Sequence, residues 1–136
     1  MIKMITNKEL IEKAKNVLNP KEINAALGIQ TGYTGCALLT KNGSVYTGVN
    51  INLACGIGFC AEHNAISIMI TNNEFDIKKI VAYSAIGKII PPCGRCRELI
   101  SQISKYNYNN TEIIISNNKS KKLKELLPLD WKRYFK

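Results

Sequence analysis

The chain is 136 residues long, 46% hydrophobic, and carries 19 Lys and Arg against 10 Asp and Glu, a net charge of +9. This length and apolar content predict one domain over 1–136 with a substantial core and argue against disorder, while no apolar run approaches the ~20 residues of a membrane span and the N-terminus lacks the apolar core of a signal peptide. The basic excess favours anionic partners at long range, but much of it lies in Lys119 to Lys124 and Lys132 to Lys136, where a solvated surface at the chain end accounts for it.

Thr6 and Glu9 form a capping box for a helix from about Ile5 to Leu18, with Leu10, Ile11, Ala14, Val17 and Leu18 on one apolar face, and Asn19-Pro20 ends it. Lys21 to Thr31 is ambiguous; a short helix there would turn Ile23, Ala26 and Leu27 to the core and stop at Gly28. Tyr33 to Thr40 and Val45 to Asn50 are strands joined by Lys41-Asn42-Gly43-Ser44, whose Asn-Gly supplies tight-turn chemistry. Ile51 to Phe59 is an irregular loop, followed by a helix from about Cys60 to Thr71 with Ala61, Ala65, Ile68 and Met69 on its core side. Ile80 to Ile86 reads as a strand covered on both faces, and Pro91-Pro92 turns the chain into a helix from about Cys93 to Lys105. Ile113 to Ile115 form the next strand, a short basic stretch another, and Leu123 to Leu127 a final helical turn or two. Helices alternating with apolar strands after an opening hairpin predict a three-layer α/β/α domain on a mixed, about five-stranded sheet.

Chemistry concentrates at Cys60-Ala61-Glu62 and Pro91-Pro92-Cys93-Gly94-Arg95-Cys96-Arg97. Cys93 and Cys96, at i and i+3, lie on one face of a helical first turn and can close on one metal ion; Cys60 would bring a third sulfur from the end of a second helix. Three thiolates leave a zinc coordination position open for water, whose pKa the metal lowers to about 7, and Glu62 is suited to move that proton. Cys55 makes a closed site of Cys55, Cys60, Cys93 and Cys96 conceivable, although that leaves Glu62 and Pro92 without a purpose; a Cys-x-x-Cys can also be redox-active. Zinc with three thiolates carries a net charge of about −1, which helix N-termini at Cys60 and Cys93, with Arg95 and Arg97 nearby, would offset. With three of the five cysteines assigned to metal, the chain reads as reduced and cytoplasmic.

Gly35-Cys36-Ala37-Leu38-Leu39, Tyr46-Thr47-Gly48-Val49-Asn50, Cys60-Ala61-Glu62, Pro92-Cys93-Gly94-Arg95-Cys96-Arg97 and Glu125-Leu126-Leu127-Pro128 carry a resemblance over most of the chain, from about Gly35 to Trp131. The family it resembles is that of the cytidine deaminases, more closely the small homotetrameric members and the related blasticidin-S deaminases. The resemblance implies one zinc per chain on Cys60, Cys93 and Cys96, Glu62 as proton shuttle, and backbone around Ala61 and Pro92 holding the base edge and the leaving group. Nucleoside-specific members carry Asn-x-Glu for the ribose; here Asn50 matches and Asn52 replaces the Glu. His63 stands where those members commonly have Arg, which moves thiolate charge compensation toward Arg95, Arg97 or the helix ends. Small members also place an aromatic three residues past the Leu-Leu-Pro that closes over the base in a neighbouring subunit; this implies Trp131, or else Phe135, as a lid in a homotetramer, whereas a Trp in that place can equally anchor the C-terminal segment to its own domain.

The expected activity is zinc-dependent hydrolytic deamination of a free 4-aminopyrimidine nucleoside, cytidine or deoxycytidine, with blasticidin S or another modified aminopyrimidine as the alternative. A zinc-bearing nucleic-acid-binding module is the rival from another class. It rests on the +9 charge, and the 7% aromatic content and lack of a binding motif weigh against it.

Overall fold

The computed structural model describes residues 4–135; Lys136, counted above in the basic C-terminal stretch, lies outside the described residues. Helix α1 (Asn7–Asn16) is capped as its sequence requires: the Thr6 hydroxyl accepts from the Glu9 N–H at 3.1 Å, and the Glu9 carboxylate accepts from the Thr6 N–H at 3.5 Å. Leu10, Ile11 and Ala14 are its buried residues.

Lys21 to Thr31, ambiguous in sequence, takes strand and turn rather than helix. Lys21–Asn24 is a strand (β1), Ala25–Leu27 is a single 3-10 turn, and β2 (Ile29–Thr40) starts at once, pairing Lys21 with Thr31 and Glu22 with Gln30. Gly28, at φ 69°, reverses the chain so that its two halves exchange backbone hydrogen bonds instead of winding into a helix. Ile23 and Leu27, expected in the core, are 59% and 58% exposed, and Ala26 is exposed as well.

The hairpin from β2 to β3 (Val45–Asn52) forms as expected, with the Thr40 N–H on the Ser44 carbonyl at 2.8 Å and Gly43 at φ 93°. β3 continues through Ile51 and Asn52, which pair with the two-residue strand β4 (Gly58–Phe59), so the loop expected over Ile51 to Phe59 shrinks to its middle. Helix α2 (Ala61–Thr71) buries Ala61, Glu62, Ala65, Ile66 and Met69. Ile68, expected inward, is 47% exposed; Ile66 takes its place, on the side it shares with Ile100.

The strand expected at Ile80 to Ile86 is β5 (Ile77–Ser84), with Ile86 in the turn that Gly87 (φ 87°) closes before a further strand, β6 (Lys88–Ile90). The helix expected from about Cys93 to Lys105 is α3 (Gly94–Ile103), and a further short helix, α4 (Lys105–Asn110), follows it. Ser104, extended at φ −163°, ends the first and caps the second by accepting from the Tyr106 N–H at 3.1 Å. β7 (Glu112–Ser116), β8 (Lys119–Lys122) and α5 (Leu123–Leu126) follow as read, and Trp131–Tyr134 forms a 3-10 turn.

Among the described residues the sheet has eight strands rather than about five, in the order β4-β3-β2-β5-β7-β8, with β1 also on β2 and β6 on β5. β5 and β7 run parallel and the other pairs antiparallel, the expected mixed sheet. Successive strand residues serve opposite faces. Cys36 and Leu38 of β2 pack with Ala61, Ala65 and Met69 of α2 and Ile100 of α3, whereas Ala37 and Leu39 pack with Leu10, Ile11 and Ala14 of α1, which gives the three layers. Two glycines let helices approach closely: a Cβ on Gly35 would stand 2.2 Å from the Ala14 carbonyl oxygen, and one on Gly48 would stand 2.5 Å from the Ala65 nitrogen. The second contact seats the first turns of α2 on β3.

Candidate metal centre and its cleft

α2 and α3 present their N-termini to the same point. Cys60 and Cys93 are the two N-cap residues, both with extended backbone and neither using its side chain to cap, so their thiols are free to face the exposed N–H ends of the helices. Cys96, one turn into α3, is buried and completes the group. The Cys60 and Cys93 sulfurs are 3.7 Å apart, those of Cys93 and Cys96 3.6 Å, and all three lie within 4.8 Å of one another. Cys55 is exposed, sits at φ 61° and is not in the cluster, which removes the four-thiolate site.

Burial raises the pKa of the Cys60 and Cys96 thiols, and the Glu62 carboxylate adds to the rise at both. For Cys93 burial acts in the same direction, but the N–H groups of Cys96 and Arg95 and the neighbouring thiols outweigh it and bring its pKa below the usual thiol value. Three sulfurs within 4.8 Å of one another are a donor set that a thiophilic cation would hold deprotonated together; three thiolates with room for a further ligand fit zinc.

Glu62, on the first turn of α2, is only 5% exposed, and desolvation raises its pKa from the ordinary carboxylate value. It stands at the inner wall of a cleft of about 450 Å³ together with Cys60, Cys93, Ala61, Asn50, Asn52 and Arg95. Pro91 lines it too, and so do Thr34, Phe59 and Ile90, residues that sequence reasoning did not single out. Phe59 could have been suspected from its place beside Cys60, but Thr34 and Ile90 arrive only through strand pairing. A larger groove, about 520 Å³, lies between α3, α4 and the C-terminal turn, away from the thiols.

Asn50 has a second task. Its Oδ1 accepts from the N–H groups of both Tyr33 and Thr34, at 2.8 Å each, opposite the irregularity in the β2–β3 pairing between Thr31 and Gly35. Two backbone donors fix the amide oxygen there, and its NH₂ is left for the cleft. Arg95 donates to the Gly58 carbonyl at 3.1 Å, and Arg97 donates through Nε to the Pro92 carbonyl at 2.8 Å and through Nη1 to the Leu126 carbonyl at 3.0 Å. His63 has a buried Nε2 without a hydrogen-bond partner, and burial, with the charge of Arg95, lowers its pKa, so the ring is neutral at pH 7. Pro92 is buried, and it is Pro91 that lines the cleft. Trp131 is outside the cleft of its own chain: its indole N–H donates to Glu98 at 3.1 Å, its ring meets Phe135 edge-on at 5.8 Å, and it is 55% exposed.

Residues 5–109 match the family model described as the cytidine and deoxycytidylate deaminase zinc-binding region. A cytidine deaminase of Halalkalibacterium halodurans is 32% identical over 94 residues, which are 65% of this chain and 71% of that one. The blasticidin-S deaminase of Bacillus cereus is 35% identical over 112 residues, 74% of this chain and 78% of the relative. Among solved structures, the cytidine deaminase of Mycobacterium tuberculosis superposes with a TM-score of 0.74 at 21% identity, covering 92% of this chain and 96% of that one. That of Burkholderia pseudomallei gives 0.73 at 24% identity over 92% and 98%; these two likenesses speak for the fold.

Proposed function

The chain belongs to the cytidine and deoxycytidylate deaminase family, and we propose that it is a zinc-dependent aminohydrolase that converts a free 4-aminopyrimidine nucleoside, cytidine or deoxycytidine, to the uracil nucleoside and ammonia. The observation that carries this reading is the cluster of Cys60, Cys93 and Cys96 beside the buried carboxyl of Glu62, at one wall of a cleft of nucleoside size. Zinc held by the three sulfurs supplies a polarised water of lowered pKa.

Glu62 takes a proton from the water as its oxygen adds to C4 and delivers that proton to N3. The same carboxyl then moves the second proton to the amine, which leaves as ammonia while the C4 carbonyl forms. Its burial suits it to the shuttle, because a pKa raised toward the working pH makes the carboxylate a stronger base for the proton of the water while leaving the acid able to pass it on. The backbone at Ala61 and at Pro91, which lines the cleft where Pro92 does not, holds the base edge and the leaving group, and the amides of Asn50 and Asn52 meet the sugar. Arg95, with neutral His63 beside it, offsets the thiolate charge.

Trp131, or else Phe135, closes over the base of a neighbouring subunit in a homotetramer. The exposure of both rings leaves them free for such a contact, while the Glu98 bond shows how Trp131 is held meanwhile. A cytoplasmic location suits the three reduced thiols; among the described residues no helix is long and apolar enough to cross a membrane.

A second substrate reading, a blasticidin-type aminopyrimidine, is favoured by the 35% identity to the Bacillus cereus enzyme and by Asn52 in place of a carboxylate. Replacing Glu62 by Gln tests the mechanism. The variant should keep zinc and fold and lose roughly 10²- to 10⁴-fold in kcat, the usual contribution of a general acid-base group. Turnover near that of the wild type would exclude the shuttle.

A further inference from the structure

We infer that Arg97 is a positioning residue for the metal centre, acting through geometry rather than through its charge. Its guanidinium is spent on two main-chain carbonyls. One is that of Pro92, the residue directly before the ligand Cys93; the other is that of Leu126, the last residue of α5, 29 positions away from Arg97 in the chain. Both bonds are short, 2.8 and 3.0 Å, and part-buried, so they hold their partners more firmly than exposed contacts would.

The turn at Pro91-Pro92 needs such a tie. Pro92 has no N–H of its own to anchor it, and the side chain of Cys93, an exposed N-cap residue, makes no capping hydrogen bond that would fasten it to the first turn of α3. Leu126 supplies the fixed end, because it packs against the main core cluster and the following Leu127 carbonyl is bound by the Tyr108 hydroxyl at 3.1 Å. Arg97 is therefore a strut between the C-terminal segment and the turn that carries Cys93. Arg95 differs: it makes one bond, to Gly58, and lines the cleft, where its charge remains available to the thiolates. A lysine at 97 would keep the charge but lose the planar fork that reaches two carbonyls at once.

This inference rests on the zinc reading, and its test reads zinc directly. The zinc-loaded wild type, Arg97→Lys and Arg97→Gln are mixed with a chromophoric chelator, and zinc release is timed alongside the thermal midpoint of each protein. Partners that orient metal ligands typically contribute 10- to 100-fold in metal affinity. Arg97→Lys and Arg97→Gln should both release zinc at least tenfold faster than the wild type, at a temperature where each is folded. Release from Arg97→Lys at the wild-type rate would show that charge suffices and overturn the proposal, as would faster release seen only where the variants unfold. A wild-type chain that binds no zinc would overturn the reading beneath it, a result distinct from zinc that binds but leaves at a rate independent of Arg97.

Discussion

Replacing Gly48 by Ala should damage the enzyme from a position that touches no substrate. Gly48 does not have a positive φ, so alanine is conformationally acceptable there and the cost is steric. Its Cβ would stand 2.5 Å from the Ala65 nitrogen and 2.9 Å from the Ala61 carbonyl oxygen, atoms of the α2 backbone that cannot rotate away. Restoring ordinary contact at about 3.4 Å requires α2 to lift by about 0.9 Å at Ala65. Overpacking of this kind costs ~1 to 3 kcal/mol, and the upper end applies because the clash is with backbone and because Ala61, Ala65, Ile66 and Met69 would all lose packing together. For a chain of this size ~3 kcal/mol corresponds to a fall in Tm of roughly 10 °C.

The same lift moves Glu62 and Cys60, and a displacement of about 1 Å at reacting groups can lower the rate roughly 10²-fold. Urea unfolding with turnover of the folded protein measures both effects. Gly94→Ala is the control, since a Cβ there meets nothing within 4 Å. Equal unfolding midpoints for Gly48→Ala and the wild type would refute the account of how α2 is seated.

Asn50→Asp keeps an oxygen for the Tyr33 and Thr34 N–H groups but removes the NH₂ that faces the cleft. It should therefore leave stability near the wild type and raise KM about tenfold or more, whereas Asn50→Ala should cost ~1 to 2 kcal/mol in unfolding because two backbone donors lose their acceptor; an unchanged KM for the Asp variant would remove Asn50 from substrate binding. Trp131→Ala should lower kcat/KM roughly tenfold, the ~1 to 2 kcal/mol of one lost aromatic contact. Light scattering that finds a fully active monomer at micromolar concentration would exclude the shared lid.

What the sequence displays depends on how far each feature reaches along the chain. The Thr6–Glu9 capping box, the Asn42-Gly43 turn and the i, i+3 thiols of Cys93 and Cys96 are local patterns, and each forms as read. Strands β1, β4 and β6 are two to four residues long and exist only because β2, β3 and β5 offer free edges, so no periodicity announces them. Gly28 was legible as a stop, but a left-handed glycine reverses a hairpin as readily as it ends a helix, and only pairing with β2 decides between them. The site divides in the same way. Cys60, Glu62, Cys93 and Cys96 converge as expected, while the anchoring of Asn50 on Tyr33 and Thr34 and that of Arg97 on Leu126 join residues 16 or more positions apart.

The central claim is that the three-thiol site is catalytic and acts on a free aminopyrimidine. Its most direct measurement is zinc-loaded protein incubated with cytidine, deoxycytidine and blasticidin S in turn, following the ultraviolet change on deamination with ammonia released. The account predicts that at least one of the three is converted, with one ammonia per substrate consumed. Protein that carries about one zinc per chain and converts none of them would contradict it, and would leave the centre a structural one.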